Sequence, residues 1–363
     1  MVTPWAVCVG ESMAALLPDV PGPLDGVESF AVSAGGAESN VACALRALGV
    51  PSAWISRVGD DGFGRRLVGE VTARGVDTSG VAVDPLRPTG LYLKETGGST
   101  RDGDLGTGRS KLHYYRAGSA ASAMSAATLR DPAVERLVDG ARLVHLTGIT
   151  PALSETCLDM VRALLDAPRG QRLVSFDLNL RPVLWRDRDA GVLREFVNAA
   201  DVALLGADEA EIAFGTGDPA KLRALFPGPT TIVVKDAERV VTALTAKGAV
   251  SEPALTVDVV EPTGAGDAFA AGYLAGTLHG FDERRRLRLG HLAAASALVA
   301  QGDVGELGDL SRLADADAGG SAGAAEDDGQ WSAATVAALL DAPEEQWRAT
   351  RISADGIAFG GLR

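Results

Sequence analysis

The stretch Glu261-Pro262-Thr263-Gly264-Ala265-Gly266-Asp267 places two glycines and an acid between an extended run, LTVDVVEP, and a helical one, AFAAGYLAGTLHG. Gly264 and Gly266 allow successive N–H groups to converge, and the positive end of a helix macrodipole falls at the same point. The peptide therefore predicts an anion cradle suited to a developing phosphate. Asp267 stands at the helix start, within reach of whatever approaches that cradle. Its plainer role is to cap the helix, as Asp commonly does, and spacing alone does not choose between the two. No GxxxxGKS or GxxxxGKT occurs, which excludes a conventional P-loop. GDLGTG at 103–108 has tempting glycine spacing, but no strong strand precedes it and no clear helix follows.

Two further segments carry chemistry. HYYRAGSAAS (113–122) sets Tyr114 and Arg116 two apart, which in a strand directs both to one face. FDLNLRP (176–182) sets Asp177, Asn179 and Arg181 at alternate positions leaving an apolar run, where ligand groups collect in open α/β sheets. Two arginines on ligand-facing segments point to a substrate carboxylate, because the guanidinium fork matches carboxylate geometry. The alternative is two ordinary surface arginines. His145, inside the apolar run RLVHLTG, reads as a core or strand-end residue rather than a catalyst. Lys235 closes the TIVVKD run, where phosphate binding and plain solvation both stay open.

The elements that must position these residues follow from the hydrophobic pattern. WAVCVG, RLVHLTG, RLVSFD, VALLG and TIVVKD are short runs, apolar on both faces, and predict buried parallel strands. They alternate with helical segments such as SNVACALRALG (39–49) and SETCLDMVRALLDA (154–167), which predicts a doubly wound α/β sheet with ligands at the carboxyl ends of its strands. Residues 12–33 and 88–119 break the rhythm with alternating patterns such as LYLKET and KLHYYR, predicting half-exposed strands that form a small lid. GGSTRDGDLGTGRS (97–110) reads as a mobile polar turn between them.

The 46% hydrophobic content of the 363 residues suffices for a large core, and a formal charge of −14 opposes non-specific attraction to nucleic acid or anionic lipid. Any anionic ligand must be held by local groups. Cys8, Cys43 and Cys157 show no CxxC spacing, so neither a zinc site nor a disulfide framework is expected, and a reducing cytoplasm fits best. The amino-terminal residues lack a basic region and no apolar run is long enough for a membrane span, so an unexported, soluble protein is expected. Residues 1–310 read as one catalytic unit. Residues 311–363 read as an acidic Ala/Gly-rich linker and a short extension, with one amphipathic helix beginning at Ser332 and Pro343 ending it or starting another turn.

AGGAESNVACALRALG (34–49) is similar to the amino-terminal GGxxxN element of the ribokinase-like sugar kinases, the PfkB carbohydrate kinase family, and TGAGDAFAAGYLAG (263–276) looks like its carboxyl-terminal signature. RVGDDGFG (57–64) is also typical, and the resemblance runs in the family's order over roughly residues 4–310. It implies a ribokinase-like doubly wound sheet with a small β-strand lid. It implies ATP and Mg²⁺, with Asp267 as general base for a sugar hydroxyl and the N–H groups of Gly264, Ala265 and Gly266 stabilising the transferring phosphoryl group. Asn179, Lys235, Gly264 and Gly266 are expected on the nucleotide side, and Glu209 is expected to hold Mg²⁺ through water.

The combination of Tyr114 to Ala120, His145 to Thr150, Asn179 to Pro182 and Gly302 with Asp303 closely resembles 2-keto-3-deoxygluconate kinases. That implies substrate contacts from Gly35, Gly36, Asn40, Tyr92, Tyr114, Arg116, Ile149, Arg181 and Asp303. Two departures stand out. The family usually has Asp where Glu261 stands, in a region that holds a monovalent cation in some members, and the longer side chain weighs against such a site. The NxxE element that organises magnesium reads Gly206-Ala207-Asp208-Glu209, retaining the acid but not the asparagine. The rival functions are a kinase of the same family acting on a neutral sugar or nucleoside, and a non-catalytic sugar-binding scaffold. Unpaired lid strand edges lead us to expect a homodimer or larger homo-oligomer.

Overall fold

A computed structural model of the chain describes residues 3–99, 103–106, 109–300 and 331–359. Asp303 and its neighbour Gly302, and the acidic linker at 315–329, lie outside these residues. The strands are β1 (Ala6–Val9), β2 (Met13–Pro18), β3 (Phe30–Gly35), β4 (Ser52–Gly59), β5 (Asp77–Asp84), β6 (Leu91–Thr96), β7 (Ser110–Tyr115) and β8 (Leu143–Thr147). They continue as β9 (Leu173–Asp177), β10 (Val202–Gly206), β11 (Thr231–Asp236), β12 (Val240–Thr245), β13 (Gly248–Pro253), β14 (Thr256–Val257), β15 (Arg351–Ser353) and β16 (Gly356–Ala358). The helices are α1 (Ala37–Ala47), α2 (Gly62–Ala73), α3 (Pro132–Gly140), α4 (Glu155–Asp166), α5 (Pro182–Trp185) and α6 (Val192–Ala199). After them come α7 (Ala207–Phe214), α8 (Pro219–Leu225), α9 (Ala265–Leu278), α10 (Glu283–Leu298), α11 (Ala333–Leu340) and α12 (Glu344–Ala349).

The apolar runs become parallel strands because both their faces are covered. Along β1, Ala6 and Cys8 face one apolar layer and Val7 and Val9 the other, and along β10 Leu204 faces opposite to Ala203 and Leu205. That period of two splits the core into a layer built on α1, α9 and α10 and a layer built on α3, α4 and α6. The sheet runs β13-β12-β11-β10-β9-β8-β1-β4-β5, parallel from β11 to β5, with antiparallel β11-β12 and β12-β13 pairs at one end. β1 pairs with β4 on one side and β8 on the other, so chain order reverses between β1 and β8. A crevice opens beyond the carboxyl ends of strands at such a switch point.

The alternating segments form a separate sheet, β3-β2-β6-β7, in which β2 and β6 are parallel and the outer pairs antiparallel. Met13, Ala15 and Tyr92 bury one face of it, with Leu17 and Leu112 packed alongside. This is the expected lid. The C-terminal segment holds more than the single helix expected. Ser332 caps α11, accepting from the Thr335 N–H at 3.2 Å, Pro343 precedes α12, and β15 and β16 follow. Val336, Leu339, Trp347 and Ile352 join the α9 and α10 layer of the core, so the segment docks on the body.

Candidate active site

A polar cavity of ≈ 350 Å³ lies at the switch point, under the lid. Gly35, Gly36 and Asn40 enter it from the β3–α1 junction, and Tyr92, Tyr114 and Arg116 from the lid. Ile149, Asn179 and Arg181 come from the ends of β8 and β9, Glu209 from α7 and Lys235 from β11. Gly264, Gly266 and Asp267 close it. The fold thus brings every residue expected at the site into one cleft, except Ala265, which lines an adjoining cavity, and Asp303, which lies outside the described residues.

Gly36 shows why the amino-terminal element needs glycine. A Cβ there would stand 2.5 Å from the Glu11 carbonyl oxygen and from Ser12 Oγ, so the close approach of α1 to the β1–β2 connection excludes a side chain. Asn40, in the first turn of α1, then reaches across the cleft. Its Nδ2 donates to Oδ2 of Asp267 at 3.0 Å, and Asn179 Nδ2 donates to Oδ1 at 3.3 Å. Asn179 holds a positive φ of 37°, a conformation asparagine tolerates, which turns its side chain off the end of β9.

These two contacts weigh against the capping role left open for Asp267. The N-cap of α9 is Gly264, at φ +82°, and makes no side-chain cap bond; Asp267 is the third helical residue and spends both oxygens on side chains across the cleft. The helix's opening bond runs from the Ala268 N–H to the Gly264 carbonyl at 2.9 Å, so the N–H groups before it point out of the helix end toward the cavity. Around Gly266 an added Cβ would meet open space, as a backbone facing a ligand requires. Asp267 lines the cleft, and desolvation there raises its carboxyl above the ordinary range. The Asn40 bond opposes that shift, the charge of Asp177 adds to it, and Arg181 and Lys235 moderate it.

Lys235 is half-buried and paired. Its Nζ donates to Asp177 Oδ2 at 2.7 Å. Burial alone would lower its pKa, but the charges of Asp177 and Glu209 and the Asp177 hydrogen bond overcome that and hold it protonated. Glu209 lies in the first turn of α7 and accepts from Arg181 Nη1 at 3.4 Å. Burial raises its carboxyl, Lys235 pulls it down and Asp177 pushes it up. His145 is fully buried, with Nδ1 2.9 Å from Ser175 Oγ, and burial pushes it down to about 4, a core histidine as its sequence setting indicates.

The arginines carry partners that the sequence did not disclose. Arg116, 8% exposed, donates through Nε to Glu11 Oε2 at 2.7 Å and also pairs through Nη2; Ser119 Oγ donates to the other Glu11 oxygen at 2.5 Å. Two arginines in the cleft therefore do not by themselves demand an anionic ligand, since Glu11 and Glu209 already face them. On the cradle side, Glu261 accepts from the Thr263 N–H at 3.0 Å and Thr263 Oγ1 at 2.6 Å, and pairs with Lys94 of lid strand β6.

A second cavity, ≈ 460 Å³ and largely apolar, meets the first at Lys235, Pro262 and Gly266. Leu255, Val257 and Val259 line one side of it, Phe269 and His291 the other. The cleft is thus bipartite: a polar chamber, an apolar chamber, and between them the amino-terminal end of α9.

A sequence profile described as pfkB family carbohydrate kinase matches residues 5–306. The chain belongs to that family. Among its relatives, a 2-dehydro-3-deoxygluconokinase of Thermoproteus tenax is 39% identical over 315 residues, 85% of this chain and 90% of the relative. A 2-dehydro-3-deoxygluconokinase of Bacillus subtilis is 33% identical over 85% of this chain and 94% of its own length. The crystal structure of an uncharacterized sugar kinase from Pyrococcus horikoshii in complex with ATP, 26% identical, superposes with a TM-score of 0.71 over 82% of this chain and 93% of that one. The fold is that of the pfkB kinases, and the protein is an ATP-dependent sugar kinase.

For a pfkB kinase the donor set must suit Mg²⁺, which keeps several waters and binds one or two carboxylates together with substrate phosphates. Among the described residues no three His, Cys, Asp or Glu side chains form a cage, while Asp177 and Glu209 line the cleft beside the cradle. Loss of the asparagine at Gly206 leaves Glu209 in place, and that donor set fits a phosphate-borne ion. Glu11, Lys94 and the cavity-lining Phe269 and His291 were not singled out in the sequence. Some counter-charge for Arg116 was to be expected, since an arginine placed in a buried site needs one. Nothing short of the fold identifies which acid supplies it.

Proposed function

We propose that this chain phosphorylates a hydroxyl of a sugar acid, 2-keto-3-deoxygluconate giving 2-keto-3-deoxy-6-phosphogluconate, with ATP as donor. The observation that carries the phosphotransfer is the setting of Asp267 in the polar chamber, next to Gly266 where the two chambers meet, held by Asn40 and Asn179 beside the open end of α9. The sugar acid occupies the polar chamber. Its hydroxyl gives its proton to Asp267, its oxygen forms a bond to the γ-phosphorus, and the bond from that phosphorus to ADP breaks. The N–H groups of Gly264, Ala265 and Gly266 face the charge on the moving phosphoryl group, which supplies most of what such a transfer needs. Glu209 would hold Mg²⁺ through water, and the ion's charge would offset that of the donor phosphates.

The sugar-acid reading draws on the names of the two relatives and on Arg116 and Arg181 in the polar chamber. Glu11 engages only Nε and Nη2 of a guanidinium with five donors, so Arg116 retains donors for a second carboxylate. The pairing of both arginines favours one rival, a neutral-sugar kinase in which they serve the protein alone. A panel of sugar acids and their reduced neutral analogues, assayed with ATP and Mg²⁺ by coupled ADP release, separates them. Turnover of the neutral analogue at the same kcat/KM would end the acid reading. Glu261, committed to Lys94 and Thr263, takes no monovalent cation in this proposal. The edge strands β3 and β7 of the lid are the surfaces through which we propose that copies of the chain associate.

A further inference from the structure

The apolar chamber is walled on one side by β14 and the residues around it, and on the other by α9 and α10. Both walls lean on residues 331–359, a segment beyond the 5–306 that match the family. β14 is not part of the nine-stranded sheet; among the described residues its ladder partner is β15. Thr256 lies opposite Arg351 and Val257 opposite Ile352 in parallel register, and the Asp258 N–H donates to the Ile352 carbonyl at 2.8 Å. Two residues later the chain is tied to α10, with the N–H groups of Val260 and Glu261 donating to Leu298 at 2.8 and 3.1 Å, and Gly264 follows. The wall and the cradle are thus one short strap, pinned at one end by the C-terminal segment.

The opposite wall is pinned by the same segment. His291 lines the chamber with its ring edge-on to Phe269 at 5.4 Å, while Trp347 lies 6.1 Å behind it. Trp347 is fully buried and donates through Nε1 to the Pro253 carbonyl at 2.9 Å, three residues before β14. Arg288, one turn before His291 on α10 and 1% exposed, pairs with Glu252 and donates to the carbonyls of Leu340 at 3.0 Å and Ala342 at 2.6 Å. Those carbonyls close α11, so the guanidinium satisfies a helix end that would otherwise be buried with acceptors unmet. Its plane also lies 4.8 Å from the Trp347 ring.

We propose that the C-terminal segment is a working part of the donor site: by fixing the β14 strap and the His291 edge it sets affinity for the nucleotide, without touching the sugar chamber. The proposal rests on the reading that the apolar chamber receives the nucleotide base. Trp347 is the positioning residue that joins both walls, and its test must separate positioning from general support of the fold.

Three measurements on the full chain decide it. Binding of ADP with Mg²⁺ by calorimetry should weaken about five- to twentyfold in Trp347→Ala, with the KM for ATP rising in step and the KM for the sugar acid within twofold of its original value. Trp347→Phe, which keeps a ring against His291 and Arg288, should recover most of the loss. In the unsubstituted protein, amide exchange at 256–261 and 350–353 should slow on addition of ADP and Mg²⁺ and not on addition of the sugar acid alone. Unchanged ADP affinity in a folded Trp347→Ala, or equal rises in both KM values, overturns the proposal. If that variant does not fold, exchange at 350–353 that is indifferent to ADP overturns it instead. A protein that binds no nucleotide at all defeats the donor-site reading itself, a result distinct from nucleotide binding that ignores Trp347.

Discussion

Asn40 and Asp267, 227 residues apart in the chain, are joined by a hydrogen bond of 3.0 Å from Nδ2 to Oδ2. The bond ties the first turn of α1 to the first turn of α9 and points the carboxylate into the polar chamber rather than at its own helix. Asp267→Asn keeps the shape of that contact and removes the base. We expect kcat to fall about 10²- to 10⁴-fold, the range for a positioned general base, with the KM for sugar changed far less. Stopped or coupled assays of ADP release measure this directly. Turnover equal to that of the unsubstituted enzyme would take Asp267 out of the mechanism.

The pH profile follows from the same pair. Burial raises the carboxyl of Asp267 above the ordinary aspartate range, while the Asn40 bond opposes the shift. Only the deprotonated form accepts the hydroxyl proton, so kcat/KM should fall as pH drops through an apparent pKa above the ordinary aspartate range. Asn40→Ala removes the stabilising donor, and the acid limb should move to still higher pH. A limb that stays put in Asn40→Ala would assign it to another group.

Arg116 and Glu11 give the third prediction. Arg116→Ala strands a buried carboxylate, which typically costs about 3–5 kcal/mol of stability. Its kinetic effect is therefore mixed with unfolding. The double change Glu11→Gln with Arg116→Met removes both charges and should restore most of the lost stability in urea unfolding. The KM for the sugar acid should nevertheless stay raised about tenfold or more, since the donors Arg116 offers beyond Glu11 are gone. Full recovery of KM along with stability would show Arg116 to be structural only.

The sheet, its parallel strands and the glycine-led start of α9 were legible because each depends on local pattern. Runs apolar on both faces marked β1, β8, β9, β10 and β11, the segment SETCLDMVRALLDA marked α4, and glycine spacing with a following helix marked Gly264 to Asp267. What escaped is non-local. Glu11 stands 105 residues from Arg116 and Lys94 stands 167 from Glu261, and the sequence pattern gives no hint of either pairing. Strand β14 lies within LTVDVVEP, which reads as extended, but its partner β15 arrives about 90 residues later and no local pattern announces the pairing. For the same reason the C-terminal segment reads in sequence as one helix and an appendage, when its buried Trp347 and Ile352 complete a wall.

Lys94 links the lid to the cradle. It sits on β6, 8% exposed, and pairs with Glu261 three residues before Gly264. Burial raises the Glu261 carboxyl, but hydrogen bonds from Lys94 and Thr263 outweigh it and hold the group below its ordinary pKa, so Glu261 is ionised at neutral pH. Lys94→Met should lower kcat/KM several-fold by freeing the lid from the strap. Lys94→Arg should retain most of it, since a shielded pair is only weakly screened and the charge is what counts. Equal activity of the Met and Arg variants would show that the contact does not couple lid and cradle.

Glu38 provides the last test, one of stability rather than rate. It follows Gly36 in α1, is fully buried, and accepts at Oε1 from Thr147 Oγ1 at 2.8 Å and Thr150 Oγ1 at 2.7 Å, while Oε2 has no hydrogen-bond partner among the described residues. Burial raises its carboxyl from 4.5 to about 7; the threonine bonds resist that and the charge of Asp267 adds to it. The folded state therefore holds a proton that the unfolded state releases between those two values. Stability from this group is complete below pH 4.5 and is lost as pH rises through about 7. Glu38→Gln cannot ionise and keeps the acceptor for both threonines. Its unfolding free energy relative to the unsubstituted protein should grow by about 2–3 kcal/mol from pH 5 to pH 8, read from urea curves at each pH. A constant difference between the two pH values would mean that Glu38 titrates alike in both states, and that Thr147 and Thr150 hold it as an ordinary carboxylate.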